Sequence, residues 1–318
     1  MIGGVRRGWS PDSGQTAIFL TLLILVMLPL LLSACYRGAA APPTPFDELP
    51  PPPNLTPQPV VIDGSALMQP LMAGLGTAFQ RFAPQTSVVV GASGTRTGFG
   101  RFCAGEVALH DALRPINESE EALCGANGIG WQAITVAYDA AAVVVSAENA
   151  FAGCLNLAQL RSIWEADSVV QNWQQVHLGY ADLPLIAYAP PADSLTYTLF
   201  QERVLEGRAT RWPLDEGPPV GPEAIGFLPL GQALQLGSSV RALPLAASGG
   251  ELVAAGGDCI LPEEQTVLNG RYPLARPLLL YVNAMGLAQP EIRQFLRFVL
   301  SAEADPVIRG WYLVPPTA

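Results

Sequence analysis

Lysine is absent from this sequence of 318 residues, and histidine occurs only as His110 and His177. All 17 basic residues are therefore arginine. Walker A loops, protein-kinase sites and Schiff-base enzymes need a lysine amine, so these classes are excluded. Two histidines without an H-E-x-x-H motif supply too few of the usual ligands for a catalytic zinc. We expect no metal and no cofactor.

Charge is also scarce in this chain. Charged residues make up 14% of it, and the 17 arginines stand against 27 acidic residues. A nucleic-acid-binding surface needs an excess of positive charge, so we expect no nucleic-acid partner, and any anion site must be local. Apolar residues make up 50% of the chain, which is enough to form the cores of one large or two moderate domains.

The N-terminus has the features of an export signal. Arg6 and Arg7 precede an uncharged apolar run over residues 17–32, and the run leads into Ser33-Ala34-Cys35. This ending resembles the bacterial lipoprotein cleavage box, which implies that residues 1–35 contain a signal peptide and that Cys35 becomes an acylated first residue. The alternative is an uncleaved membrane anchor, because the run is nearly long enough to span a bilayer. Both interpretations place the rest of the chain on the extracytoplasmic or periplasmic face, tethered to the bilayer.

Residues 36–59 form a proline-rich linker. Nine prolines lie between Pro42 and Pro59, and no core-forming pattern interrupts them. Such a composition favours an extended, polyproline-like spacer. At roughly 3.1 Å per residue, about 20 such residues hold a folded body on the order of 60 Å from the bilayer.

From Val60 onward, short β-rich runs alternate with helical ones, which indicates an α/β fold. Strands are predicted at 60–62, 87–90, 140–145, 185–188 and 278–282, and helices at 66–82, 98–103, 157–164, 195–205 and 291–300.

Three small polar clusters each follow an apolar strand and precede a helix. They are Asp63-Gly64-Ser65, Gly91-Ala92-Ser93-Gly94-Thr95 and Asp193-Ser194-Leu195-Thr196. A Ser or Thr at such a position caps the helix, and the remaining N–H groups of the first turn attract an oxyanion. An ordinary N-cap without a ligand explains any single cluster. The recurrence favours three helix ends around one small anion.

Arg114, in Leu113-Arg114-Pro115-Ile116, is the best candidate for a cationic ligand. A guanidinium offers a planar fork of donors that suits an oxyanion. The alternative is a surface ion pair. Arg96 is the weaker candidate, because a side chain on a first helical turn can point to solvent.

Several segments together carry a family resemblance. They are Gly91-Ala-Ser-Gly-Thr95, Gly98-Phe-Gly-Arg-Phe-Cys-Ala-Gly-Glu106, Arg114-Pro-Ile116, Val136-Ala-Tyr-Asp139, residues 160–164, and Tyr272-Pro-Leu-Ala-Arg-Pro277 with Tyr281-Val-Asn283. In order and spacing they resemble the phosphate-binding proteins of bacterial ABC importers. The resemblance covers residues 62–315.

This resemblance implies a two-lobed type II periplasmic-binding-protein fold. Lobe 1 would contain residues 60–139 and 281–318, and lobe 2 would contain residues 140–280. The hinge strands would cross near 136–144 and 276–282.

The resemblance also implies an anion site, carried over residue by residue. The matching positions are Ser65, Ser93, Gly94, Thr95, Arg114, Ser194 and Thr196. Three other positions depart from the family toward apolar residues: Leu67 and Leu113 stand where hydroxyl or carboxyl groups are usual, and Leu195 replaces a glycine. Two lost hydroxyl groups would weaken phosphate binding by about 2 to 4 kcal/mol, or roughly 30- to 1000-fold.

Four cysteines remain after Cys35, and in an exported chain they suggest two disulfides with three possible pairings. Pairing Cys103 with Cys124 and Cys154 with Cys259 keeps each bridge inside one lobe. A bridge between the lobes would lock the hinge that ligand capture requires. Free buried thiols are the alternative.

Three functions follow from these observations. The first is capture of a small oxyanion, most of all inorganic phosphate, for the permease subunits of an ABC importer. The second is a tethered sensor or interaction module with an altered cleft. The third is a serine hydrolase that uses Ser93 with His110 or His177. Ser93 is not in a G-x-S-x-G elbow and both histidines are expected to be surface or cap residues, so we expect no enzyme.

Overall fold

The computed structural model describes residues 57–211, 218–246 and 258–316. The predicted signal peptide, Cys35 and most of the proline-rich linker lie outside the described residues. Within those ranges, no helix has the length and apolarity that a bilayer crossing requires.

The described residues form ten strands. They are β1 (Val60–Gly64), β2 (Val88–Val90), β3 (Leu109–Ala112), β4 (Trp131–Ser146), β5 (Ile186–Tyr188), β6 (Ala224–Pro229), β7 (Val240–Ala242), β8 (Leu245–Ala246), β9 (Cys259–Ile260) and β10 (Ala275–Asn283).

The same residues form eleven α-helices and one 3₁₀ turn, Gly237–Ser239. The helices are α1 (Gln69–Phe79), α2 (Thr95–Cys103), α3 (Glu118–Ala126), α4 (Leu157–Trp164), α5 (Trp173–Val176), α6 (Leu195–Arg203), α7 (Leu230–Leu236), α8 (Glu264–Leu268), α9 (Ala284–Ala288), α10 (Pro290–Val299) and α11 (Asp305–Gly310).

The main sheet has the strand order β2-β1-β3-β10-β4-β6-β5, with β7 also paired to β4. Strand β1 runs parallel to both β2 and β3, and β5 runs parallel to β6. Strand β10 lies antiparallel to both β3 and β4. Helices alternate with the strands along the chain, as the sequence pattern predicts for an α/β fold.

Strands β4 and β10 connect the two parts of this sheet. The first part of β4 pairs with β10, from Trp131 opposite Asn283 to Ala140 opposite Ala275. From Ala141 onward, β4 pairs instead with β6. These two strands contain the segments 136–144 and 276–282, which the family resemblance implies as the crossing strands.

Two of the buried apolar clusters in the described part of the chain have no residue in common. One cluster contains Phe99 and Phe102 of α2 together with Tyr281 of β10. The larger cluster contains Trp164 of α4 and the aromatic pair Phe200 and Phe227, whose rings stack 3.8 Å apart. The lobe limits 60–139 with 281–318, and 140–280, stay a prediction.

Two helices differ from their predicted limits for local reasons. Helix α1 begins at Gln69 rather than at residue 66, because the N–H groups of Met68 and Gln69 both donate to the Ser65 carbonyl and close a turn first. Helix α2 begins at Thr95 rather than at residue 98, because Gly94 has a φ of 91° and turns the chain into the helix.

The predicted disulfide pairing is confirmed. The structure joins Cys103 to Cys124 across 21 residues and Cys154 to Cys259 across 105 residues. The alternative of free thiols is therefore wrong for all four cysteines of the folded body.

Candidate functional site

The polar clusters that follow β1 and β2 meet at one edge of the main sheet. Parallel strands β2, β1 and β3 end on the same side, so Ser65, the Ser93–Thr95 turn and Asp111 come together there. The Gly94 N–H donates to the Gly64 carbonyl at 2.7 Å, which holds the two turns against each other. The first two predicted clusters therefore form one site region.

Asp63 is the buried centre of this region. Its side-chain oxygens accept the Ser93 N–H at 3.0 Å and the Ser93 hydroxyl at 2.9 Å, and they also pair with Arg101 of α2. Burial raises the pKa of the Asp63 carboxyl, but the bonds from Ser93 and the charge of Arg101 outweigh burial and lower it. Asp63 is therefore an ionised anchor for the turn before α2.

Ser93 does not cap α2, contrary to the sequence prediction. Gly94 is the N-cap residue, and no side chain caps this helix, because the Ser93 hydroxyl is used by Asp63. The N–H groups of Thr95, Arg96 and Thr97 consequently have no partner among the described residues. The free N–H groups and the helix dipole at the first turn of α2 favour binding of an anion there.

Ser65 is held by Asp111 of β3. The Ser65 N–H donates to Oδ1 of Asp111 at 2.6 Å, while the other carboxyl oxygen is buried without a partner in the described part of the chain. Ser65 does not cap a helix either, since α1 starts four residues later. Burial, helped by the charge of nearby Asp63, raises the pKa of Asp111 to about 7.

Arg114 is engaged in an ion pair, which was the alternative interpretation. Its Nη1 and Nη2 donate to the two carboxylate oxygens of Glu120 at 2.8 and 2.7 Å. Nη1 also donates to the Pro115 carbonyl at 2.9 Å, and the guanidinium lies 5.5 Å from the centre of the Phe99 ring. Part of the side chain stays exposed, so Arg114 remains accessible from solvent.

Ser194 and Thr196 lie at the start of α6, where the third cluster was predicted to cap a helix. Ser194 does cap α6, because its hydroxyl oxygen accepts the Tyr197 N–H at 3.1 Å. The Thr196 hydroxyl donates to Oδ1 of buried Asp139 at 3.1 Å. Among the described residues, no hydrogen bond joins this group to the residues after β1 and β2.

Asp139 of β4 forms a buried pair with Arg276 of β10, and the two link the main sheet to α6. Nε of Arg276 donates to Asp139 at 3.2 Å, and its Nη2 donates to the Leu195 carbonyl at 2.8 Å. Burial raises the pKa of Asp139, and the charge of Arg276 opposes that rise. The pair positions the first turn of α6.

The hydroxyl groups of the matched residues fall into two classes: those that already donate a hydrogen bond to a carboxylate, and those that do not. The hydroxyl hydrogens of Ser93 and Thr196 are used by Asp63 and Asp139. The hydroxyl groups of Ser65 and Thr95 donate to no described residue, and Ser194 uses only its acceptor. An oxyanion needs hydrogen-bond donors. Within the described ranges, the unused donors are the hydroxyl groups of Ser65, Thr95 and Ser194, the N–H groups of the first turn of α2, and the free edge of Arg114.

His110 is a buried core residue, so its predicted position at a surface or cap is wrong. Its ring packs 4.1 Å from the Phe99 ring, and Nδ1 lies 2.8 Å from the Asp63 carbonyl oxygen. Burial lowers the pKa of His110 to about 4. Since the Ser93 hydroxyl bonds to Asp63 and not to His110, the two residues do not form a nucleophile and base pair. His177 is partly exposed.

The three leucines that depart from the family pattern lie beside the matched residues. Leu67, Leu113 and Leu195 are each partly exposed, so none is a simple core residue. Leu195 precedes Thr196 in the first turn of α6, and Leu113 precedes Arg114. These side chains add apolar surface next to the donors.

Comparison with known proteins decides the family. A family described as the PBP superfamily domain matches residues 38–303. The chain belongs to the PBP superfamily. Among its relatives, Protein SphX of Synechococcus elongatus is 34% identical over 253 residues, which cover 76% of this chain and 73% of the relative. Phosphate-binding protein PstS of Staphylococcus aureus is 25% identical over 262 residues, 80% of this chain and 77% of that protein.

A solved structure resembles this PBP-superfamily protein closely. A possible phosphate binding protein from Planctomyces limnophilus is 29% identical, with a TM-score of 0.71 over 82% of this chain and 94% of that one. The predicted fold class, an α/β fold of the two-lobed periplasmic-binding kind, is confirmed. The PstS relative is named a phosphate-binding protein, and the Planctomyces structure is described as a possible one.

Sequence reasoning missed five charged residues that support the site. Asp63, Asp111, Glu120, Asp139 and Arg276 hold the matched residues in place. Asp63 and Asp139 stand inside the segments that were singled out, but their partners are 30 and 57 residues away in sequence. Only Glu120 had a local signal, because Asn117-x-x-Glu120 is a capping-box pattern.

Proposed function

We propose that this chain is an extracytoplasmic solute-binding lipoprotein that captures a small oxyanion, first of all inorganic phosphate, and delivers it to the permease of an ABC importer. The relatives named PstS and the Planctomyces protein support phosphate. The set of unused donors after β1 and β2 supports an oxyanion in general.

The open N-terminus of α2 is the observation that carries this proposal. Gly94 supplies no capping side chain, and three N–H groups of the first turn have no partner in the described ranges. The space in front of Gly94 is also empty, since a Cβ added there would meet no atom within 4 Å. An anion can therefore approach the backbone closely, where helix dipole and N–H groups favour it.

A tethered sensor or interaction module is the second candidate. Leu67, Leu113 and Leu195 favour it, because each lies beside the donors and offers an anion nothing. If these leucines only weaken the site, phosphate affinity falls by about 30- to 1000-fold relative to a fully hydroxylated site. If they close the site to phosphate, the chain has another ligand or none.

Calorimetric titration of the soluble body with phosphate separates these candidates. We expect a saturable heat signal, together with a rise in melting temperature at millimolar phosphate. Arg114→Ala is expected to weaken binding by at least about 100-fold, because charged hydrogen bonds contribute about 1.5 to 3 kcal/mol each. Arg81→Ala is the matched control, because Arg81 is exposed and lies outside the matched positions. The proposal would be contradicted if about 10 mM phosphate gave neither heat nor a thermal shift. That concentration would reveal even weak, millimolar binding.

A further inference from the structure

Arg114 has five N–H donors, and three of them are already used. Both hydrogens of Nη1 are taken, one by Glu120 at 2.8 Å and one by the Pro115 carbonyl at 2.9 Å. One hydrogen of Nη2 goes to the other Glu120 oxygen at 2.7 Å. The Nε–H and the second Nη2–H have no partner among the described residues. These two hydrogens point side by side from one edge of the guanidinium, in the geometry that binds two oxygens of an oxyanion.

Glu120 is the fixed member of this ion pair. Its side chain is 10% exposed, compared with 41% for Arg114. Its Oε2 also accepts the Asn117 N–H at 3.0 Å, and its own N–H donates to the Asn117 side chain at 3.0 Å. Burial raises the pKa of the Glu120 carboxyl, but the bonds from Arg114 and Asn117 outweigh burial and lower it. Glu120 is therefore held in place at the start of α3, and its position determines the orientation of the Arg114 guanidinium.

We propose that Glu120 is a specificity-determining residue of the oxyanion site: it occupies one edge of Arg114 and cancels the arginine charge. Arg114 then meets the ligand as an oriented pair of donors, the Nε–H and one Nη2–H, without net charge. This inference rests on the function proposed above and names the group that limits its affinity.

Similar pairing at the neighbouring arginines supports this interpretation. Arg101 pairs with Asp63 and Glu106, and Arg276 pairs with Asp139 and Glu202. Arg96 is exposed on the first turn of α2 and has no carboxylate partner within the described residues. Arg101, Arg114 and Arg276 are thus each paired with at least one carboxylate.

Two opposing effects follow from removing the charge of Glu120. Loss of orientation costs a factor of about two to ten in affinity, the usual value for ordering one long side chain. Removing a negative charge on the far side of the guanidinium, about 7 Å from a bound anion, gains roughly 50-fold in affinity at an effective dielectric constant of about 20. The charge effect is the larger one. A variant without this charge should therefore bind phosphate more tightly, which is the opposite of what loss of a purely structural residue would do.

Glu120→Gln tests the charge, because glutamine keeps the shape and an oxygen for the Asn117 N–H. Phosphate affinity is measured by calorimetry at low salt, with folding checked by thermal unfolding. We expect a dissociation constant about tenfold lower than that of the wild type, which corresponds to roughly 1.4 kcal/mol. Glu121→Gln is the matched control. It removes the same charge from the next residue of α3, where the side chain is exposed and does not contact Arg114, and we expect a change below about twofold.

The double exchange Arg114→Gln with Glu120→Gln tests the donor edge separately. The net charge of the pair stays as in the wild type, but the guanidinium fork is gone, so we expect binding about tenfold weaker than wild type. Unchanged or weaker binding by Glu120→Gln relative to Glu121→Gln would overturn the proposal. So would a double variant that binds as the wild type does. If no variant and no wild type binds phosphate, the proposed function itself fails, which is a distinguishable result.

Discussion

Asp111 and His110 are neighbours on β3, and burial moves their pKa values in opposite directions. The pKa of His110 falls to about 4, so between about pH 4 and 6.5 the unfolded chain binds the histidine proton more strongly. The contribution of His110 to the free energy of unfolding therefore rises with pH across that window. The pKa of Asp111 rises to about 7, so its contribution is largest at low pH and is lost as pH rises from about 4 to 7. The two contributions offset each other.

Asp111→Asn should make the contribution of His110 to the pH dependence of the free energy of unfolding visible, because it removes the opposing contribution of Asp111. Asparagine keeps the oxygen that accepts the Ser65 N–H and mimics the protonated acid. We expect the free energy of unfolding of this variant to increase by up to about 3 kcal/mol between pH 4 and 6.5, while that of the wild type changes much less. Urea denaturation at a series of pH values measures this. Asp193→Asn, at an exposed aspartate, should leave the wild-type profile unchanged. A flat profile for Asp111→Asn would show that His110 does not titrate as described.

At the scale of the element, α2 depends on a close approach to β3. A Cβ added at Gly98 would lie 2.5 Å from the His110 ring and 3.1 Å from the Gly64 Cα. The His110 ring is fully buried beside Phe99, so it has no room to move. Gly98 therefore lets the helix lie close to both β3, through His110, and the end of β1, through Gly64.

Two alanine substitutions in α2 should have opposite effects. We expect Gly98→Ala to lower the free energy of unfolding by about 1 to 3 kcal/mol, because overpacking forces a shift of β3 or of the helix. Gly100→Ala, two residues later, meets nothing within 4 Å and should raise it by up to about 1 kcal/mol through helix propensity. Chemical denaturation compares the two variants directly. Equal effects would mean that space at Gly98 is not the controlling factor.

Elements with strong local signals could be predicted from the sequence. Helix α4 has the predicted limits, residues 157–164, because the capping box of Asn156 and Gln159 starts it and an apolar face anchors it. The role of Ser93 could not be predicted this way, since its partner Asp63 is 30 residues earlier and on another strand. Local spacing predicts helix ends, whereas side-chain partners across parallel strands depend on the tertiary fold. The sequence therefore indicated candidate residues by their type, but it could not predict which side chains contact one another.

At the scale of the whole molecule, the proposed acylation of Cys35 and the alternative of an uncleaved anchor predict different forms of the protein. Acylation at Cys35 implies that Cys35→Ser is released from the membrane fraction or accumulates as an uncleaved precursor with a larger mass. An uncleaved anchor over residues 17–32 predicts instead that wild type and variant both stay in the membrane, with masses that differ only by the exchange of sulfur for oxygen. Fractionation of a C-terminally tagged chain and mass spectrometry of its N-terminal peptide measure the difference. Cys103→Ser is unsuitable as a control because Cys103 forms a disulfide, so Ser33→Ala serves as the neighbouring control.

Strand β4 belongs to both parts of the main sheet without a break. Its 16 residues cover about 50 Å, and its pairing partner changes from β10 to β6 between Ala140 and Ala141. Local unfolding of either part would free the amide groups along only one half of this strand. The amide hydrogen-exchange rates along β4 therefore report local opening of both parts of the sheet: those before Ala140 report the part paired with β10, and those after Ala141 report the part paired with β6.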